Sequence, residues 1–141
     1  MRLHEAKKLD DEIIKAKLVE ELICASLVMV TQVHIWHWQT KSYAAHTALG
    51  NYYGFLQGEA DLLAEIFMGG GATFTFRQHK EPTNFVSIAD VKAQLENYKT
   101  ALSKTETELM KDENAPFHSA GDTLLGIIKE TDKLLYLLNL E

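Results

Sequence analysis

Two histidines and two carboxylates in this chain have the types and the spacing of a metal site: His37, His46, Asp61 and Glu65. Asp61 and Glu65 are four residues apart, so a helix presents both on one face. His46 and Asp61 are fifteen residues apart, which is roughly 22 Å along a helix at about 1.5 Å per residue. Because one ion cannot bridge that distance, the spacing predicts a site that two subunits share across a two-fold axis.

The ligand types narrow the choice of metal. Imidazole together with carboxylate suits iron, manganese, cobalt or zinc, whereas calcium and magnesium prefer oxygen ligands. His37 precedes His46 by a short loop and would add a second nitrogen, and His34 is a reserve ligand. A structural alternative stays open, because a histidine beside a tryptophan near a helix end is commonly an interface residue. The acidic pair Asp61 and Glu65 could equally be a solvated face.

The stretch that carries these ligands also carries three glycines. One stripe with spacings of 4, 4, 4, 3 and 4 contains His46, Gly50, Gly54, Gly58, Asp61 and Glu65. Each mid-helix glycine costs about 1 kcal/mol relative to alanine, and close approach of a second backbone would offset that cost. The midpoint between His46 and Asp61 falls at Tyr53 and Gly54, where a two-fold axis gives a self-complementary interface. We therefore predict a homodimer interface that contains Gly50, Tyr53, Gly54 and Gly58.

Two helices must position the stripe and the first histidine. Residues 10–39 contain no glycine or proline and have apolar residues at helical spacing, which predicts one long helix. Ser42 is suited to cap a second helix over residues 43–68, which the glycines at 69–71 end. The predicted core face of this second helix contains Ala45, Leu49, Tyr52, Leu56, Leu63 and Phe67.

Two further helices complete the expected fold. Residues 72–86 predict a long connection across the bundle, with His79 exposed. A third helix begins at Ser87 and ends near residue 112, and a fourth begins at Ser119 or shortly after, with His118 exposed in the loop before it. We expect one all-α domain over residues 1–141, a four-helix bundle with a long crossover between the second and third helices.

Composition and charge limit the classes of function that we expect. The chain has 141 residues, of which 46% are apolar, enough for a core. A formal charge of −6 without a basic run disfavours binding to nucleic acid. The one cysteine, Cys24, cannot form an internal disulfide, and the N-terminus is too charged for a signal peptide. The most apolar run, residues 22–30, is too short to span a membrane, so a cytoplasmic location is the default expectation.

The run His37-Trp38-Gln39, followed by His46, Asp61 and Glu65, resembles the Dps-type miniferritins (DNA-binding proteins from starved cells). The resemblance covers about residues 26–68. In that family the histidines of one subunit face the carboxylates of its two-fold mate. The resemblance implies a ferritin-like bundle, an iron site with these histidines and carboxylates as ligands, and oxidation of Fe(II) by peroxide or oxygen. It also implies a homo-oligomer, which could be as large as a hollow dodecamer, with zinc or manganese as alternatives to iron.

Three departures from the miniferritin pattern qualify that expectation. The loop between the two histidines is three residues shorter, which could displace His37. Thr47 and Gly50 stand where the family usually carries acidic residues, so weaker ferroxidase activity is expected. The chain also lacks the basic tail with which some miniferritins bind DNA, and DNA binding is not expected.

A second resemblance points to a different class of function. The segment HWQTKSYAAHTALG, residues 37–50, is similar to short, uncharacterised helical proteins of large bacteriophages. Those proteins carry more carboxylates along the second helix, where this chain has Gly54 and Gly58. This resemblance implies a viral source. It favours the alternative function of a non-catalytic, oligomeric bundle with a structural or assembly role and a degenerate metal site.

Overall fold

Four α-helices account for the regular structure of the chain. The computed structural model describes residues 2–77 and 80–140, and no strand occurs within these ranges. The helices are α1 (Leu3–Gln39), α2 (Tyr43–Gly69), α3 (Ile88–Met110) and α4 (Ala120–Leu138). The prediction of an all-α four-helix bundle is confirmed. None of the helices in this part of the chain combines the length and apolarity that crossing a membrane requires.

Helix α1 begins seven residues earlier than the sequence predicted, at Leu3 rather than residue 10. The carboxylate of Glu5 accepts a hydrogen bond from the Arg2 amide at 3.2 Å, which satisfies one of the free donors at a helix start. The charged residues in this segment carry no apolar periodicity, but lysine, glutamate and alanine favour helix. The resulting helix of 37 residues is about 55 Å long.

The predicted helix caps are present. The Ser42 side chain accepts a hydrogen bond from the Ala45 amide at 3.1 Å, and Ser87 accepts one from the Asp90 amide at 3.1 Å. Each bond satisfies a backbone donor that has no partner within the first turn of its helix. These caps fix the starts of α2 and α3 at the residues that the sequence indicated.

The helices surround one apolar core. Helix α1 packs on α2 and α3, and α4 packs on the same two helices. All six residues predicted for the core face of α2 are buried. Two buried hydroxyl pairs cross this core: Ser26 Oγ and Tyr98 OH are 2.6 Å apart, and Tyr52 OH and Thr131 Oγ1 are 2.7 Å apart. They tie α1 to α3 and α2 to α4.

The connection between α2 and α3, described over residues 70–77 and 80–87, runs along α1. Its direction follows from three contacts with α1 side chains, each to a backbone amide of the connection: Glu20 with Thr75, Gln32 with Thr83 and Gln39 with Phe85. Later residues of the connection contact later residues of α1, so the two segments run in the same direction. Helix α3 therefore starts at the end of the bundle where α1 ends, and it runs parallel to α2.

The loop before α4 differs from its prediction, and one predicted residue cannot be assessed. His118 was predicted to be exposed, which is wrong: it is half-buried, and its Nδ1 donates to the Leu109 carbonyl oxygen at 2.9 Å. The neighbouring Phe117 ring packs 5.1 Å from the ring of Phe67. This loop thereby closes the far end of the bundle. His79 lies outside the described residues.

Candidate metal centre

The last turn of α1 and the first turn of α2 bring His37 and His46 together. Only residues 40–42 separate the two helices, so their side chains meet beside the turn. The imidazole rings stack with centroids 3.8 Å apart and planes inclined by 15°. Both residues are half-buried. The two predicted nitrogen ligands are therefore adjacent within one chain, despite the shortened loop.

Reciprocal hydrogen bonds hold the two rings. Nδ1 of His37 donates to the carbonyl oxygen of His46 at 2.5 Å, and Nδ1 of His46 donates to the carbonyl oxygen of His37 at 2.7 Å. Since a carbonyl can only accept, each Nδ1 carries the proton, and each neutral ring has its lone pair on Nε2. Metal-binding histidines usually hold the other ring nitrogen in this way. Each ring taken singly therefore has the donor chemistry of a metal ligand, whereas the stacked arrangement keeps the two Nε2 lone pairs in separate planes.

The helix ends explain why these bonds form. Carbonyl groups in the last turn of a helix lack partners within it, and the His46 ring supplies one to His37 in α1. The His46 carbonyl lies inside α2, where the amide of Gly50 is its ordinary helical partner. It accepts the His37 ring as an additional donor. Each imidazole thus joins one helix to the next.

Gly50 makes room for the His37 ring. A Cβ atom at position 50 would lie 2.8 Å from Cε1 and 2.9 Å from Nδ1 of His37, closer than real Cβ contacts. We predicted Gly50 as an interface residue because it lets another backbone approach. The structure shows that an imidazole of the same chain occupies its open side, and the interface role stays a prediction.

Aromatic rings surround the histidine pair on the α1 side. His34 stacks on Tyr53 at 4.1 Å and lies 3.9 Å from the ring of Trp38. Its centroid is 6.1 Å from that of His37, while Tyr53 meets His37 edge-on at 5.4 Å. His34, which we predicted as a reserve ligand, is therefore held by stacking beside the pair. Tyr53, predicted for the interface, also supports the histidines.

The predicted carboxylates lie elsewhere on the same chain. Asp61 and Glu65 are exposed on α2, and within the described residues neither has a hydrogen bond or ion pair. Because α2 is uninterrupted from Tyr43 to Gly69, Asp61 remains about 22 Å from His46 along the helix. Across residues 2–77 and 80–140, no three histidine, cysteine or acidic side chains converge as a metal site. The single chain brings the histidines together and leaves the carboxylates apart from them.

The glycine face of α2 is open between these two groups. Gly54 and Gly58 are exposed, and a Cβ at either would meet nothing within 4 Å. They line a groove between α1 and α2 whose wall also contains Leu27, Asp61 and Phe74. The face on which we predicted a second copy is thus free of intrachain contacts at its two central glycines.

Sequence reasoning did not find the bonds that hold the histidines. The residues were identified by type and spacing, but their carbonyl partners were not, and neither was the space beside Gly50 that the His37 ring occupies. One signal was present: a glycine one helical turn after His46, at the point where a second histidine arrives from a short loop. A side chain on a helix covers the turn before it, so a residue without one exposes the His46 carbonyl.

Comparison with known families assigns the chain. Residues 37–138 match DUF5856, a family of unknown function. The chain belongs to the DUF5856 family. The matched residues contain all four predicted ligands and the whole of α2, α3 and α4, whereas His34 and most of α1 precede them. No curated protein and no solved structure matches this DUF5856 chain.

Proposed function

We propose that this DUF5856 protein is a Dps-like, ferritin-type protein that binds a divalent metal ion, in the first place iron, between two protomers. His37 and His46 of one protomer would bind the ion together with Asp61 and Glu65 of the other. The observation that supports the proposal is the reciprocal histidine pair, which fixes both Nδ1 protons on carbonyl groups and leaves each Nε2 with a lone pair for a cation. Because the rings are stacked, binding of one ion by both would require one ring to turn out of the stack.

The arrangement of the helices supports a ferritin-like interpretation. Two antiparallel helix pairs, α1 with α2 and α3 with α4, are joined by one long crossover that returns along α1. Bundles of the ferritin type have one such crossover. The buried polar residues in the described core are one lysine, one serine, one glutamine and three threonines. None of these buried residues is acidic, so they could not form an internal carboxylate site. The external face of α2 is therefore the better candidate.

The proposed two-fold relation follows from the geometry of α2. Two antiparallel copies that cross near Tyr53 and Gly54 would bring His46 of each beside Asp61 of the other, because the helix is continuous between them. Gly54 and Gly58 would let the backbones approach. Asp61 and Glu65, which have no ion pair within one chain, would then bind the cation held by the histidines. Each dimer would contain two equivalent sites.

The chain's own residues bind and orient in this proposal. The carbonyl bonds fix the tautomer and the direction of each imidazole, and the carboxylates supply the negative charge that a divalent cation requires. Iron bound there would be the substrate of a ferroxidase reaction, in which peroxide or oxygen oxidises Fe(II). Zinc or manganese would suit the same ligands.

A second candidate function is that of an assembly protein without metal chemistry. The open face at Gly54 and Gly58 and the partly exposed Leu27 would serve a packing interface equally well. In that case the protein would form an oligomer or bind a larger particle, and the histidine pair would act only as a clamp between α1 and α2.

Complementation between two variants tests the shared site. His46→Ala and Asp61→Ala should each lose uptake of Fe(II), Zn(II) or Mn(II), measured by elemental analysis after desalting. Unfolding and refolding the two together should restore about a quarter of the wild-type capacity, because half of the dimers are mixed and each has one complete site. His4→Ala mixed with Asp10→Ala, at the far end of α1, is the matched control and should retain full uptake.

The outcomes separate the two candidates. Restored uptake in the mixture requires ligands from two chains, and sedimentation should show a dimer-based assembly. A wild-type protein that oligomerises but takes up none of the three metals at excess contradicts the metal proposal and leaves the assembly function standing. Uptake that the variants lose and the mixture fails to restore contradicts the two-fold arrangement.

A further inference from the structure

We infer that the end of the bundle where α1 and α4 finish and α2 and α3 begin is a second contact surface between copies of this chain. Six large apolar side chains in the described residues are at least 62% exposed. Five of them lie within about one helical turn of this end: Trp38, Tyr43, Val86, Tyr136 and Leu140. A concentration of exposed apolar side chains marks an interaction surface. We call these five residues the aromatic end.

Contacts between the helices place the five residues together. The turn of residues 40–42 joins the end of α1 to the start of α2, and α3 starts at that end because the crossover runs along α1. The hydroxyl pair of Tyr52 and Thr131, together with a cleft that both Ala48 and Leu137 line, shows that α4 runs antiparallel to α2. The last turn of α4 therefore lies beside the first turn of α2.

Charge is nearly absent from the described part of this end. Its segments, residues 36–44, 82–89 and 134–140, contain one lysine or acidic residue, Lys41, in a chain of which 24% is charged. Asp90, just inside α3, is half-buried and hydrogen-bonded within that helix. The opposite end differs, because three lysines and four acidic residues line a cleft between α1 and the end of α3. Depletion of charge with enrichment of tryptophan and tyrosine is typical of the core of a protein–protein interface.

A second copy of the chain is the partner that fits this surface. Copies with a net charge of −6 repel each other, and an end with almost no charge is where they approach at the least electrostatic cost. A two-fold contact needs a surface that is complementary to itself, and an uncharged aromatic surface meets that requirement. A membrane is a poorer partner, because apolar surfaces that bind lipid are flanked by several basic residues, whereas this end has only Lys41.

The exposed area at this end suits a stable contact. A tryptophan or tyrosine side chain carries roughly 150–250 Å² of surface, and Trp38, Tyr43 and Tyr136 are 62–83% exposed. These three side chains thus offer about 400 Å², half of the roughly 800 Å² that each partner buries in a stable interface. Val86, Leu140 and the neutral residues between them supply the rest.

The contact at the aromatic end is independent of metal binding and of the predicted contact through α2, so variants test it separately. Gly54→Glu places a carboxylate where a Cβ meets nothing within 4 Å, and it should block the α2 contact. We expect this full-length variant still to dimerise in analytical ultracentrifugation, and the wild type to form a larger assembly. Adding Val86→Ser and Tyr136→Ser to Gly54→Glu should raise the dissociation constant of the dimer by about tenfold or more, the scale of losing interface hot spots.

Tryptophan fluorescence locates the contact on the molecule. Trp38 is 67% exposed, whereas Trp36, the other tryptophan, is 0% exposed, so quenching by acrylamide reports on Trp38. Dimerisation of the Gly54→Glu protein should protect Trp38 from the quencher as the protein concentration rises. A dimer in which Trp38 is quenched as fully as in the monomer would place the contact elsewhere and overturn the inference.

The matched control is Phe76→Ser with Leu125→Ser in the Gly54→Glu protein. It also changes one exposed apolar residue of the crossover and one of α4, both away from the aromatic end, and it should leave the dissociation constant unchanged. Circular dichroism confirms that each variant is folded. A Gly54→Glu protein that is monomeric at every concentration, or a dimer that Val86→Ser with Tyr136→Ser does not weaken, would overturn the inference and leave the proposed metal site untouched. Monomers that bind phosphatidylserine vesicles without self-association would overturn it in favour of a membrane.

Discussion

The imidazole of His46 closes the end of α1 by donating its Nδ1 proton to the carbonyl oxygen of His37, 2.7 Å away. The imidazole of His37 returns the same type of bond to α2 at 2.5 Å. Each ring therefore uses one nitrogen to hold the fold and keeps the other for a ligand. Under the proposed function, stability and metal binding would depend on different atoms of the same side chains, so substitutions can separate them.

Replacement of His46 by asparagine should separate the two roles. The asparagine amide nitrogen takes the place of Nδ1 and can donate to the His37 carbonyl, but nothing takes the place of Nε2. We expect His46→Asn to keep near-wild-type stability and to lose metal binding. His46→Ala should lose both, with a decrease of about 1 kcal/mol in the free energy of unfolding for the missing hydrogen bond. Urea unfolding and metal uptake of both variants check this; equal destabilisation in the two would contradict it.

Gly50→Ala should lower the free energy of unfolding, although a change from glycine to alanine stabilises most helices. Glycine to alanine within a helix typically gains about 0.5–1 kcal/mol, and Gly126→Ala, where the added Cβ meets nothing within 4 Å, should show that gain in the metal-free protein. Gly50→Ala should instead lose about 1–3 kcal/mol, the usual cost of overpacking, since its methyl group meets the His37 ring. Urea denaturation of both variants gives the comparison. A gain at both positions would contradict the role of Gly50.

Gln32 should be the strongest single anchor of the crossover. It is 4% exposed, and its amide group exchanges two hydrogen bonds of 2.8 Å with the backbone of Thr83. Gln32→Ala should lower the free energy of unfolding by roughly 2 kcal/mol, because two hydrogen bonds between a buried side chain and the crossover backbone are lost.

Asn97→Ala is the control for this substitution, since Asn97 is exposed on α3, and it should not lose stability. Thermal or urea unfolding distinguishes the two variants. Equal stability of Gln32→Ala and Asn97→Ala would show that the crossover does not depend on the glutamine.

The buried tyrosines should make the fold sensitive to alkaline pH. Burial raises the pKa of the Tyr52 and Tyr98 hydroxyls well above their ordinary value of about 10, and the hydrogen bonds to Thr131 and Ser26 offset only part of this. Unfolded tyrosine ionises near pH 10 while the folded residues stay protonated. Stability is therefore complete below that pH and falls above it by up to about 1.4 kcal/mol per pH unit for each tyrosine.

Urea unfolding at a series of pH values from about 8 to about 11 measures that slope. The double variant Ser26→Ala with Tyr98→Phe removes one tyrosine without leaving its hydroxyl partner unpaired, and it should show a shallower decline than the wild type. The same slope in both proteins would mean that Tyr98 does not contribute.

Helix ends were predictable where side chains mark them. Ser42 and Ser87 cap α2 and α3 through local contacts, and local chemistry of this kind can be read from sequence. The early start of α1 was missed because its charged residues have helix propensity without an apolar pattern. The half-buried state of His118 depends on the shape of the loop around Phe117, which has a positive φ of 67°, and no residue type nearby indicates it.

The closeness of the two histidines was predictable from the sequence, whereas the contacts that hold them were not. The sequence placed His37 near His46 because only a short loop separates them, and the distance from His46 to Asp61 followed from the continuity of one helix. The exchange of Nδ1 bonds was not predictable, because it depends on where two carbonyl groups lie after the turn is formed. The role of Gly50 has the same origin, since a glycine in a helix does not reveal which neighbour uses its space.

Glu20 and Gln39 bind the side chains of Arg77 and Asn84 in the crossover. All three of Glu20, Gln32 and Gln39 also accept hydrogen bonds from its main-chain amides, at Thr75, Thr83 and Phe85. Every residue other than proline offers that group. During evolution the crossover could therefore accumulate substitutions without changing its path, whereas the three side chains on α1 would be retained. Divergent homologues should differ most in the very segment that determines how the two helical hairpins are joined.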